Sequence, residues 1–191
     1  MILPGAMQIR NTSQSYGALS LGLHWLVAAL VFAQLGLGLY AAGLPLGIAR
    51  LEWLTRHKSL GLAVLALVLA RLLWRFVSPP PALPHAMSRS ERLAAATVHR
   101  LLYALLIFAP LAGWLYASAA GLSVNWFGLL QLPDLVAKNA DRAALFKSLH
   151  QGSVALLALL VAGHAGAALR HAFVLRDDIM HRMLPWTRPH A

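Results

Sequence analysis

The sequence predicts an all-α integral membrane protein, a four-helix bundle of antiparallel up-down topology with both termini in the cytoplasm. Of its 191 residues, 59% are hydrophobic and only 12% charged, and the mean hydropathy of +0.65 lies outside the range of ordinary soluble domains. Four apolar segments each approach the roughly 20 residues that a helix needs to cross hydrocarbon. Polar links join them, and helices are the only open-chain element that satisfies every backbone amide inside lipid.

The first span is expected at about residues 19–42, after a polar tail around Arg10 to Tyr16. It is too long for the apolar region of a cleavable signal and should stay in the protein. The second is expected at 59–77, after a link from Gly43 to Lys58. A link from Ser78 to Arg100, with PPPALP and SRSER, leads to the third span at 101–122. The stretch from Ser123 to Gln151 contains LQLPDLVAKNADR and no assignable motif, and the fourth span covers 153–174. No repeat or low-complexity tract divides residues 1–191, so one domain is expected. The absence of cysteine excludes disulfides, thiolate-held iron–sulfur clusters, zinc ribbons and covalently attached c-type haem.

Charge sets the expected orientation. With the N-terminus inside, Arg50, Arg56, Lys58, Lys138, Arg142 and Lys147 lie outside, and the other ten of the sixteen basic residues lie inside. The net charge of +10 does not indicate nucleic acid, because the basic residues flank apolar spans and suit anionic headgroups instead. The six tryptophans, Trp25, Trp53, Trp74, Trp114, Trp126 and Trp186, fall mostly near span boundaries, as an aromatic belt would.

Histidines then sort by depth. His24, near the start of helix one, lies in the inner half of the bilayer; His57 precedes helix two and is outer; His99 is inner; His150 is outer. His164 follows His150 by fourteen residues, a rise of roughly 21 Å, and is inner. Fourteen residues are also two heptads, so both rings return to nearly one face. Different helices thus pair His57 with His150 outside and His24 with His164 inside. Imidazoles within a span are costly, which marks them as functional candidates, although an interfacial hydrogen-bonding role competes for each one alone. Opposed imidazole pairs suit the two axial positions of a haem iron, whereas tetrahedral zinc wants four ligands at one level. Small residues beside them, Gly22, Gly61, Gly152, Gly163 and Gly166, leave room for a macrocycle or serve helix packing.

The segments YGALSLGLHWLVA, RHKSLGLAVLALVLARLLWR, VHRLLYALLIFAPLAGWLY and SLHQGSVALLALLVAGHAGAALRHAFVLRDDIMHRMLP resemble the bacterial cytochrome b561 family in order and spacing across nearly the whole chain. MILPGA precedes the resembling part, with Met7 as an alternative start. The resemblance implies a bacterial inner-membrane protein with two non-covalent b-type haems, the outer held by His57 and His150 and the inner by His24 and His164. It also implies superoxide as an electron donor outside and ubiquinone as the acceptor.

Other residues carry weaker expectations. Arg56, Lys58 and Lys147 neighbour the outer ligands and could steer an anion such as superoxide, or could be ordinary interfacial cations. His171, one heptad past His164 and about 10 Å further along, could bond a quinone carbonyl and supply a proton. His99 could pack beside the inner haem, bond a propionate or replace an assigned ligand. Arg71, Arg75 and Arg100 could meet propionates, although snorkelling explains them more cheaply. His85, His181 and His190 lie in polar segments. Three function classes follow: an autonomous superoxide-to-quinone oxidoreductase, a haem-carrying subunit serving a separate redox partner such as a dehydrogenase or hydrogenase, and a histidine-based transporter. The spans lack a central Asp or Glu, which counts against the transporter.

Overall fold

The computed structural model describes residues 8–82, 87–177, 179–180 and 182–184. MILPGA, Met7, His85, His181, Trp186, Arg188 and His190 lie outside the described residues. Four helices are long and apolar enough to cross a membrane: α1 (Ala18–Gly43), α2 (Ile48–Val77), α3 (Arg89–Ala120) and α4 (Ala140–Arg170), the last continued by a π-helical turn (His171–Leu175). They form the expected transmembrane bundle. α1 packs on α2, α2 on α3, and α3 most extensively on α4.

Three helices begin well before their predicted spans. α2 starts at Ile48 and not at 59, α3 at Arg89 and not at 101, and α4 at Ala140 and not at 153. Hydropathy registers only the turns immersed in lipid, whereas local capping decides where a helix starts. Ser88 and Glu91 form a reciprocal capping box at the head of α3, and the Asn139 side chain accepts the Arg142 amide at the head of α4. The expected links shrink accordingly. His57, His99 and His150 therefore sit well inside their helices rather than at span entrances.

Between α3 and α4 lies a small antiparallel hairpin, β1 (Val124–Trp126) and β2 (Leu130–Leu132), where no motif was expected. Its turn places both Phe127 and Gly128 at positive φ, 51° and 76°, and the Leu129 amide closes onto the Trp126 carbonyl. Ser59 on α2 ties the hairpin down: its hydroxyl donates to the Asn125 carbonyl and accepts from the Phe127 amide, both at 3.0 Å.

At the opposite end the N-terminal segment folds back on the end of α2. Asn11 donates from its amide to Ser78 Oγ and from its side chain to the Ser78 and Pro79 carbonyls. Trp25 Nε1 donates to the Met183 carbonyl, and the Arg182 guanidinium donates to the Ala82 carbonyl. This is the terminal side of the bundle, as opposed to the hairpin side. Midway between them Val27 and Val31 of α1 meet Val64 and Val68 of α2, with Tyr103, Leu106, Ile107 and Val161 packed around them. Side chains such as Phe32, Leu39, Leu73, Phe76 and Leu159 remain exposed and face the lipid.

Candidate functional site

Two levels of imidazoles flank the valine core. On the hairpin side, His57 of α2 faces His150 of α4, with ring centroids 6.1 Å apart and planes at 83°. On the terminal side, His24 of α1 faces His164 of α4 at 6.3 Å and 74°. His99 of α3 also approaches His164, at 5.2 Å. The rings expected to share a level are thus neighbours, with His99 nearer to His164 than His24 is. Among the described residues no group of three or more His, Asp or Glu is arranged to hold a bare metal ion.

Neighbouring backbone shapes the hairpin-side level. A Cβ added to Gly38 of α1 would lie 2.8 Å from His57 Cε1, and one added to Gly113 of α3 would lie 3.1 Å from His150 Cε1 and Nδ1. Both rings therefore rest on glycine backbone. His150 donates from Nδ1 to the Ala109 carbonyl at 2.8 Å, which leaves its Nε2 lone pair free for a ligand. Gln34 Nε2 donates to the His57 carbonyl at 2.8 Å, and Gly61 makes room for that amide. Of the glycines expected beside the histidines, Gly61 alone meets a neighbour; Gly22, Gly152, Gly163 and Gly166 face open space.

A profile described as prokaryotic cytochrome b561 matches residues 15–186. The chain belongs to this family. It is 33% identical to "Cytochrome b561 homolog 2" of Escherichia coli (strain K12), covering 93% of this chain and 95% of the relative. It is 31% identical to "Probable superoxide oxidase CybB" of Yersinia pestis, covering 92% and 98%. A third relative, "Cytochrome b561 homolog 1" of Escherichia coli (strain K12), is 30% identical over 85% and 93%. As a cytochrome b561 family member with four spanning helices, the chain is a multi-pass protein of the bacterial inner membrane. It binds b-type haem and carries electrons across the bilayer.

The residues present fit that group. Two imidazole nitrogens each about 2 Å from one iron, with the ring centre about 1 Å behind each, place the centroids about 6 Å apart. The separations at both levels match, while the His99–His164 separation is shorter. His24 Nδ1 and His57 Nδ1 are buried without a hydrogen-bond partner, orphaned groups in rings that coordination would anchor.

The remaining candidates are more dispersed. Arg56 lies over the Trp53 ring, 4.5 Å from its centroid, and Lys58 Nζ donates to the Ser123 carbonyl at 2.6 Å. Lys147 lines a groove between α3 and α4 with Lys138 and Tyr116. No bond joins the three cations to one another. His171 opens the π-helical turn, and its Nδ1 pairs with Asp177 Oδ2 at 2.6 Å. Sequence reasoning missed Gly38, Gly113, Gln34 and Asp177. Glycine inside a helix costs up to about 1 kcal/mol, so Gly38 and Gly113 in apolar spans were the available signal of close approach.

Proposed function

We propose that the chain is a single di-haem domain catalysing superoxide:ubiquinone oxidoreduction. Two superoxide anions are oxidised to two O2 while one ubiquinone takes two electrons and two protons to become ubiquinol. The observation that carries this reading is the pair of opposed imidazoles at two depths, 6.1 and 6.3 Å between rings, on helices of a b-haem-binding family. The haems, when bound, supply reversible one-electron chemistry.

The chain's own residues do the rest. His57 and His150 hold the outer haem, and His24 and His164 the inner one. With two imidazoles committed to each haem, the chemistry the group would supply is electron transfer. The valine core between the levels keeps water out of the path. With the hairpin side outward, Lys58 and Lys147 supply a positive rim that draws superoxide to the outer edge. With the termini inward, His171 bonds a quinone carbonyl; Asp177 takes its Nδ1–H, so Nε2 is the nitrogen that delivers a proton to the reduced ring.

The relative named as a probable superoxide oxidase supports the donor, and its coverage of 98% of that protein supports the same whole-chain architecture. The test is direct. Purified protein should contain two haems per chain by visible spectrum, be reduced by superoxide in stopped-flow mixing, and pass those electrons to a soluble ubiquinone. Reduction only in the presence of a separate dehydrogenase would make it an electron-carrying subunit instead.

A further inference from the structure

We propose that Arg71 is the anion-binding residue of the inner haem, taking a propionate carboxylate of the porphyrin held between His24 and His164; the proposal rests on the haem assignment above. Sequence alone leaves Arg71, Arg75 and Arg100 as equivalent candidates, for propionates or, more cheaply, as snorkelling cations. In the structure they differ. Arg75 and Arg100 are exposed, whereas Arg71 is half-buried with its guanidinium 5.7 Å from the centre of the Tyr103 ring. Tyr103 in turn packs against the valine core, so Arg71 turns toward the bundle axis and not toward lipid.

What surrounds this guanidinium is telling. His24, His99 and His164 all lie within its electrostatic reach, as does Tyr16. None supplies a negative charge. Burial holds the Tyr16 phenol above its ordinary range, outweighing the pull of Arg75 and Arg71 in the other direction, so it stays a neutral donor. The second cation nearby, Arg75, adds repulsion. Among the described residues the ion pair formed is His171–Asp177, and Glu91 faces Arg170 and His171. No described carboxylate therefore compensates Arg71. A half-buried cation among neutral rings needs an anion, and the planar guanidinium fork suits a carboxylate in bidentate fashion.

A lipid phosphate offers similar oxyanion chemistry, but it would have to leave the headgroup layer to reach a side chain turned inward at the level of the imidazoles. The porphyrin brings its carboxylates to that level. Tyr16, as a neutral phenol beside the same guanidinium, is placed to be a second donor.

The experiment measures release of haem to apomyoglobin from detergent-purified protein, loaded with either haem or haem dimethyl ester, which lacks the propionate charge. Wild type should release the ester from the inner level about tenfold faster than haem, since charge-assisted hydrogen bonds are lost. Arg71→Gln should release haem about tenfold faster than wild type and no longer distinguish haem from ester, with the outer haem unchanged. Arg71→Lys should fall between them, and it carries the comparison if the Gln variant assembles without inner haem. Equal acceleration of haem and ester by both variants would overturn the proposal in favour of lipid phosphate or packing, and so would unchanged release. If His24→Ala removes no haem from the wild-type complement, the haem assignment itself has failed, an outcome visible before Arg71 is altered.

Discussion

His171 Nδ1 lies 2.6 Å from Asp177 Oδ2, the one ion-pairing contact formed among the described residues, and it closes across a π-helical turn. π-helical turns are rare and concentrate at functional sites. Here the His171 amide still bonds the Ala167 carbonyl at the end of α4, while its own carbonyl accepts from the Arg176 amide five residues on, and its Nδ1 meets a carboxylate six residues later. The pairing fixes the tautomer, with the Nδ1 proton directed at the carboxylate. His171→Ala should slow ubiquinone reduction about a hundredfold, the low end of the range typical of a lost general acid, while two haems per chain remain. Asp177→Asn should slow it less. Stopped-flow quinone reduction on prereduced protein measures both, and loss of a haem in either variant would make the dyad a structural support.

The imidazole geometry makes a sharper statement about His99. Its ring is 5.2 Å from His164, closer than two rings trans across one iron, whereas His24 stands at 6.3 Å. Alanine at His24 or His164 should remove the inner haem, and alanine at His57 or His150 the outer. His99→Ala should keep two haems with a shifted inner spectrum. Haem-to-protein ratios of the five variants decide it; one haem in His99→Ala with two in His24→Ala would exchange their roles.

Much of this arrangement was legible in the chain and some of it was not. The apolar spans, their alternation and the depth of each histidine follow from hydropathy and helix rise, and the rings expected at each level lie next to one another, with His99 added beside His164. The polar starts of α2, α3 and α4 escaped because hydropathy reports lipid and not helix; the Ser88–Glu91 box in SRSER was the local cue. Gly38 and Gly113 escaped for another reason. Their contacts depend on the rotation of one helix against its neighbour, which no single-span pattern encodes. The hairpin rests on strands of three residues, too short for an alternating pattern.

Those two glycines predict graded damage. Alanine at Gly38 would bring a methyl to 2.8 Å from the His57 ring, and alanine at Gly113 to 3.1 Å from the His150 ring. The first forces the ring to move; the second demands only a few tenths of an ångström. Gly38→Ala should therefore lose most of the outer haem, and Gly113→Ala should keep it with altered spectral width, both leaving the inner haem intact. Equal haem occupancy in the two variants would show that the rings are not braced by backbone.

The proposed steering of superoxide at the hairpin side is complicated by Lys58, which also donates to the Ser123 carbonyl at 2.6 Å. Among the described residues Lys147 has no such second role in hydrogen bonding and is the cleaner probe. Lys147→Gln should lower the rate of superoxide-driven haem reduction a few-fold at low ionic strength, with the difference vanishing near 0.15 M salt, where the Debye length falls to about 8 Å. A rate deficit that persists unchanged at high salt would assign Lys147 a contact role instead of a steering one.

Ser59 tests how the hairpin is secured over the His57–His150 level. Its side chain is 1% exposed, and it bridges α2 to the turn by donating to Asn125 and accepting from Phe127, only two residues beyond His57. Replacing it with alanine removes both bonds, at a cost of about 0.5–1.5 kcal/mol for each hydrogen bond lost. Ser59→Ala should therefore lower the thermal midpoint of the detergent-solubilised protein. Because the hairpin roofs the side of the bundle where His57 sits, the same variant should release outer haem faster than wild type and inner haem at the same rate. Threonine keeps the hydroxyl and should restore both properties in part. An alanine variant that melts and releases haem as wild type does would show that the hairpin is held by β pairing alone.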